Sequence, residues 1–122
     1  MNPMVAEGDI ILASLPQSDG TSKLRPVLLL RRLPGFGDFL VCGISSQLRQ
    51  TGEDFDLVLM ESSPEFQVTG LKVASVFRLT HLAVLPSERM KRLLGVLSSD
   101  YVQMLQTRLS SYLILKDSHM LD

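Results

Sequence analysis

Turn-forming residues cut this chain into apolar pieces only a few residues long, and that spacing constrains its fold more than any other feature. Gly8 precedes the run Asp9-Ile10-Ile11-Leu12-Ala13-Ser14, and Pro16 closes it. Gln17 to Lys23 is rich in turn formers and reads as an exposed loop. Pro26 to Leu30 is apolar without alternation, the pattern of a strand buried on both faces or curled inside a barrel. Pro34-Gly35-Phe36-Gly37-Asp38 predicts a tight reversal into Phe39 to Ile44. Ser45 to Asp54 is polar, Phe55 to Met60 reads as another strand, and Glu61 to Gly70 as a loop containing Pro64. Val73 to Leu85 reads as a strand pair around a bend. Short strands at such spacing predict a small β-barrel.

The C-terminal end has a different period. Ser98 or Ser99 is a good N-cap, and Asp100 puts negative charge in the first turn. Tyr101, Leu105, Leu109, Tyr112 and Leu113 recur every three or four residues, which predicts an amphipathic helix to about Leu115. No internal repeat, low-complexity tract or long linker interrupts the sequence. The 122 residues therefore read as one domain, a barrel over about 7–97 and a helix over about 99–115.

Twelve basic against thirteen acidic residues exclude a polycation that binds nucleic acid by bulk charge, so any such contact requires a local basic cluster. Cys42 is the single cysteine; it forms no intrachain disulfide, builds no thiolate zinc cluster, and suits a reducing cytosol. The run Pro26 to Leu30 is far too short to span a bilayer, and residues 1–7 lack the basic start and apolar stretch of a signal peptide. A cytoplasmic protein without membrane association is expected.

Among chemistry-bearing residues, His81 and His119 read as a strand-end and a tail histidine. Neither has a Cys, Asp or Glu at ligand spacing, so no metal site is expected. Cys42 lies in an apolar strand and reads as an inert buried thiol. Gly35-Phe36-Gly37 lacks the strand-to-helix context of a phosphate loop, and no Gly-rich loop is followed by Lys-Ser/Thr; no cofactor is expected. More informative is Lys23-Leu24-Arg25-Pro26, where a polar loop meets an apolar strand. An arginine held there by a rigid proline can fork onto a phosphate, or it can pair with Asp9 or Asp19 as an ordinary rim residue. Ser45-Ser46-Gln47 places hydroxyls at another strand end. Arg78, among apolar neighbours, must point outward or find a partner.

In this order the pieces resemble the MazF/PemK family of toxin endoribonucleases from type II toxin–antitoxin systems. The resemblance lies in Gly8-Asp9-Ile10-Ile11-Leu12, in Lys23 to Leu30 with its Arg25-Pro26, and in Gly43-Ile44-Ser45-Ser46-Gln47. It continues through Gly70-Leu71-Lys72, Ser75-Val76-Phe77-Arg78 and Leu94-Gly95-Val96-Leu97-Ser98. It implies a mainly β fold, an SH3-like barrel with a C-terminal helix. It also implies metal-independent cleavage of single-stranded RNA by attack of a 2′-hydroxyl on the adjacent phosphorus. Arg25 would then be catalytic, as would Ser45, where serine replaces the usual threonine. Lys23, Ser46, Gln47, Arg49, Lys72 and Arg78 would bind RNA. Some members carry Arg-x-Asp where this chain has Arg78-Leu79-Thr80, and Thr80 cannot act as a carboxylate base. Strand alternation predicts that His81 faces away from Thr80. The resemblance further implies a homodimer and a cognate antitoxin that fills the RNA groove as it folds. A rival reading is an SH3-like binding module that has lost catalysis.

Overall fold

The computed structural model describes residues 5–114. Six strands follow one another, β1 (Asp9–Pro16), β2 (Ser22–Arg32), β3 (Phe39–Ser45), β4 (Leu57–Leu59), β5 (Ser75–Leu85) and β6 (Met90–Val96), and a helix α1 (Ser99–Leu113) comes last. All the strand pairings are antiparallel, in the order β4-β5-β3-β2-β1-β6. The mainly β class with a terminal helix is as the sequence predicts. The hydrogen-bonded ladder is not closed, however: β4 and β6 remain its two edges.

Both faces of the middle strands are buried, which explains why Pro26 to Leu30 shows no alternation. Leu28 and Leu30 of β2 join Ile10, Cys42, Phe77 and Leu79 in one core, and α1 lays Val102, Leu105 and Leu109 on it. Val27 and Leu29 point the other way, into a second core with Ile11, Ala13, Val41 and Phe39. The helix starts at the N-cap Ser98, whose side chain accepts from the Tyr101 N–H. It is tied down by Gln106, which donates to the Leu30 carbonyl at 2.7 Å, and by Arg108, which donates to the Phe55 and Asp56 carbonyls. The helix ends at Leu113, where Ile114 turns extended, a little short of the expected end near Leu115; Leu115 itself and His119 lie outside the described residues.

Three expectations are corrected. Lys23 belongs to β2 and not to the preceding loop, because β1 and β2 pair as far as Pro16 opposite Ser22. The strand expected at Phe55 to Met60 shrinks to Leu57–Leu59, since Phe55 and Asp56 form a turn that donates their backbone N–H groups to the Gly52 carbonyl. Val73 to Leu85 is not a strand pair but the single strand β5, and its bend is a bulge against β3. Gly43 pairs with Arg78 and Cys42 with Leu82, leaving Leu79, Thr80 and His81 without partners on β3. The sequence reading also passed over β6, an edge strand whose pairing with β1 is twice broken by register shifts. Among the described residues no helix is long and apolar enough to cross a membrane.

Candidate functional site: a basic cleft at the sheet end

The bulge in β5 sends three consecutive side chains in three directions. Leu79 is buried in the core with α1. Thr80 is drawn to Asp56, whose Oδ1 accepts the Thr80 N–H at 3.1 Å and whose Oδ2 accepts the Thr80 hydroxyl at 3.0 Å. His81 turns the opposite way, as alternation predicts, and lies over Gly43 of β3. A Cβ on Gly43 would stand 3.2 Å from the His81 Nδ1, so the missing side chain there makes room for the imidazole.

His81 thereby enters a cleft of about 620 Å³ at one end of the sheet. Arg25 of β2, Ser45 of β3, Arg78 of β5 and Arg92 of β6 line it, together with Lys72 from the segment before β5. Arg25 stands opposite Ala13 of β1 and continues the face of Val27 and Leu29 beyond the core. It makes no side-chain hydrogen bond or ion pair among the described residues. Both rim partners open to it in the sequence are engaged elsewhere: Asp9 accepts from the Ala6 N–H, and Asp19 accepts twice from Thr21. The Thr21 hydroxyl and N–H hold the Asp19 carboxyl below the usual range.

Lys72 is carried by a close backbone approach. The short 3₁₀ turn Gln67–Thr69 ends on Gly70, at φ +73°, and packs directly on β6. A Cβ on Gly70 would overlap the Leu94 carbonyl, and one on Gly95 would overlap Val68 and Thr69. Only two glycines let these backbones touch. Ser45 closes the opposite rim: its Oγ accepts the Gln47 N–H at 3.0 Å and donates to Gln50 Oε1 at 3.4 Å, bracing the turn that carries Ser46 and Gln47.

The charge pattern of this cleft is one-sided. Four cations and an imidazole line it, and no carboxylate does, in a chain with net charge −1. The Arg78 Nε is buried and has no hydrogen-bond partner. An orphaned donor among unpaired cations is the condition that an anionic oxygen relieves. Cys42, by contrast, is sealed in the core, where burial first and the Asp56 charge second push its thiol up to about 12.

Of the residues expected to form the site, Arg25, Ser45, Ser46, Gln47, Lys72 and Arg78 meet at this cleft. Lys23 and Arg49 lie outside it; Arg49 donates instead to the Gln47 side chain at 3.4 Å. Sequence reasoning missed Arg92, which lies in the strand it did not see, and passed over His81, whose position depends on the bulge.

Comparison with known proteins agrees with this architecture. The sequence profile of the PemK-like, MazF-like toxins of type II toxin–antitoxin systems matches residues 6–113. No curated protein sequence matches the chain. Among solved structures, the Mycobacterium tuberculosis toxin MazF-mt6 superposes with a TM-score of 0.62 at 23% identity, over 89% of this chain and 99% of that one. A MazE–MazF crystal structure from Deinococcus radiodurans gives 0.57 at 22% identity, over 93% and 100%. At such identities the superpositions show a shared fold.

Proposed function

Since the chain belongs to the PemK-like, MazF-like toxin family of type II toxin–antitoxin systems, we propose that it is an endoribonuclease that cleaves single-stranded RNA. The observation that carries this reading is the cleft that gathers Arg25, Lys72, Arg78 and Arg92 without a carboxylate. A phosphodiester brings one negative charge, and a second develops on the phosphorane as the 2′-oxygen attacks. Preorganised guanidinium groups stabilise that charge more than mobile ones do. Arg25 is the group assigned to the phosphorane oxygens, fixed by Pro26 behind it and unopposed by any acid among the described cleft residues. Arg78 offers its unpartnered Nε to a second phosphate oxygen. The Ser45 hydroxyl, loosely held by Gln50, turns its proton toward the same group and positions it. The 2′-hydroxyl of the substrate is the nucleophile, so the products carry 2′,3′-cyclic phosphate and 5′-hydroxyl ends.

One of the solved relatives is a MazE–MazF complex. By that analogy this chain is assigned a cognate antitoxin; the basic charge of the cleft fits an acidic segment of that partner, and the family resemblance adds a homodimer that brings two clefts' cations together. Growth arrest when the chain is expressed alone, relieved by its antitoxin, is the expected biological signature.

The lack of a carboxylate among the cleft residues favours one rival, a module that binds RNA without cutting it. Incubation of the purified protein with a long single-stranded RNA in EDTA separates the two. Discrete fragments with cyclic phosphate ends support the enzyme, whereas retention of intact RNA supports the binding module.

A further inference from the structure

We propose that His81 is the general base of this cleft, the group that takes the proton from the attacking 2′-hydroxyl. The inference rests on the RNA-cleavage reading and adds to it the proton acceptor that Thr80 cannot be. Cleavage forms the bond between O2′ and phosphorus and breaks the bond between phosphorus and O5′. The proton lost by the 2′-hydroxyl must go to an acceptor, and the departing 5′-oxygen takes one from water.

The cleft contains few acceptors. The charged groups facing His81 are Arg25 from β2, Arg78 from its own strand β5, Arg92 from β6 and Lys72 from the preceding segment. Guanidinium and ammonium groups are donors without a lone pair to offer. Hydroxyls and amides, here Gln17, Ser45, Ser46, Gln47, Gln50 and Ser75, are too weakly basic at neutral pH. Asp56 is buried and fully engaged by Gly52 and Thr80, outside the cleft lining. His81 is left as the one side chain of the cleft whose type exchanges protons between pH 5 and 8.

Its placement is built by the fold. The bulge against Cys42 and Gly43 releases His81 from the strand ladder, and the bare Gly43 receives the Nδ1 edge of the ring. The ring thus lies among the residues that line the cleft, with its Nδ1 edge over Gly43. The His81 side chain makes no hydrogen bond among the described residues, so no structural duty competes with this role.

The test compares the parent with His81→Gln, His81→Ala and Arg25→Ala on one single-stranded RNA in EDTA, under single-turnover conditions from pH 5 to 8. Far-UV circular dichroism and RNA binding are recorded alongside. General-base catalysis contributes on the order of 10²–10⁴ in rate, so both His81 variants should lose that much. RNA affinity should stay within a few-fold, because four cations remain. The pH dependence of the parent across this range should flatten in His81→Gln. Added imidazole should restore part of the rate of His81→Ala and none of that of Arg25→Ala. Folded His81→Gln that cuts at the parental rate overturns the proposal. So does a slowed variant that keeps the parental pH profile and ignores imidazole, since that marks a merely structural residue. A parent that cuts, with Arg25→Ala inactive and His81→Gln unimpaired, defeats the assignment of His81 alone. A parent that never cuts RNA defeats the endoribonuclease reading with it.

Discussion

Asp56 grips Thr80 twice, taking its backbone N–H on one carboxylate oxygen and its hydroxyl on the other. Asp56 is only 5% exposed, and it also accepts the Gly52 N–H at 2.7 Å. The acid thus satisfies two backbone donors on neighbouring segments and pins the bulge from the side opposite the cleft. It turns Thr80 away from the cleft and leaves His81 facing it.

Asp56→Ala strands those donors, and hydrogen bonds to a charged acceptor are each worth about 1.5–3 kcal/mol. A loss of about 3–6 kcal/mol in unfolding free energy is expected from the two donors, read as a lower urea midpoint. Thr80→Ala removes only the hydroxyl bond. It should cost about 1.5 kcal/mol, the low end for a bond to a charged acceptor, and leave RNA cleavage at the parental rate, since Thr80 does not line the cleft.

Gly70 and Leu94 make the second junction on which the site depends. Gly70→Ala imposes both a left-handed backbone, at φ +73°, and a collision with the Leu94 carbonyl. Gly37 has a similar φ of +80° but open space around it, so Gly37→Ala isolates the conformational part. Gly37→Ala should cost about 1 kcal/mol, and Gly70→Ala clearly more. Only Gly70→Ala should weaken RNA binding, because only that change shifts the segment carrying Lys72. Equal urea midpoints for the two variants would count against the close approach.

A pH effect on stability follows from Glu7. Its carboxylate accepts the Arg32 N–H at 2.9 Å and an Arg31 guanidinium N–H at 3.1 Å. The backbone bond first, with the Arg31 charge adding to it, holds this carboxyl below its usual range. A group depressed in the folded state stabilises the fold above its unfolded pKa, and that contribution is lost as pH falls through the folded value. Glu7→Gln should therefore lower stability at pH 7 by less than about 1 kcal/mol, the scale of a part-exposed pair. The difference from the parent should vanish in acid. A deficit that grows on acidification contradicts this assignment.

Arg92 tests whether the cleft is an anion site at all. Arg92→Glu places an acid among Arg25, Arg78 and Lys72 and should weaken RNA binding by ten-fold or more at low salt, the effect shrinking as salt rises. Lys23→Glu, outside the cleft, should do less. Titration of a labelled single-stranded RNA at two salt concentrations measures both.

Much of this was legible in the sequence because local signals and the fold agree. Gly8, Pro16 and the Pro34 to Asp38 turn mark the ends of β1, β2 and β3, and Ser98 with the 3.6-residue period marks the helix. Ser45-Ser46-Gln47 reached the cleft because it stands at the end of β3, and Arg25-Pro26 because it lies where the buried run of β2 gives way to its exposed part. What remained hidden depends on pairing between distant segments. In β6, Lys91, Arg92 and Leu93 are exposed in succession, and shifts against β1 erase the two-residue period. The bulge in β5 comes from a mismatch with β3 that no window of sequence contains. Asp56 looks like one more acid in a polar loop until the fold brings Thr80 to it.

The central claim is that Arg25 stabilises the charge that builds on phosphorus, and the rate of RNA cleavage by Arg25→Ala in EDTA tests it most directly. Losing one preorganised donor of this kind costs on the order of 10²–10³ in rate. Folded Arg25→Ala should therefore be nearly silent while still binding RNA through Lys72, Arg78 and Arg92. Arg25→Lys should not rescue it, because an ammonium cannot reproduce the fork. Folded Arg25→Ala that cuts the same RNA at the parental rate would contradict the account and leave Arg25 a rim residue without a catalytic part.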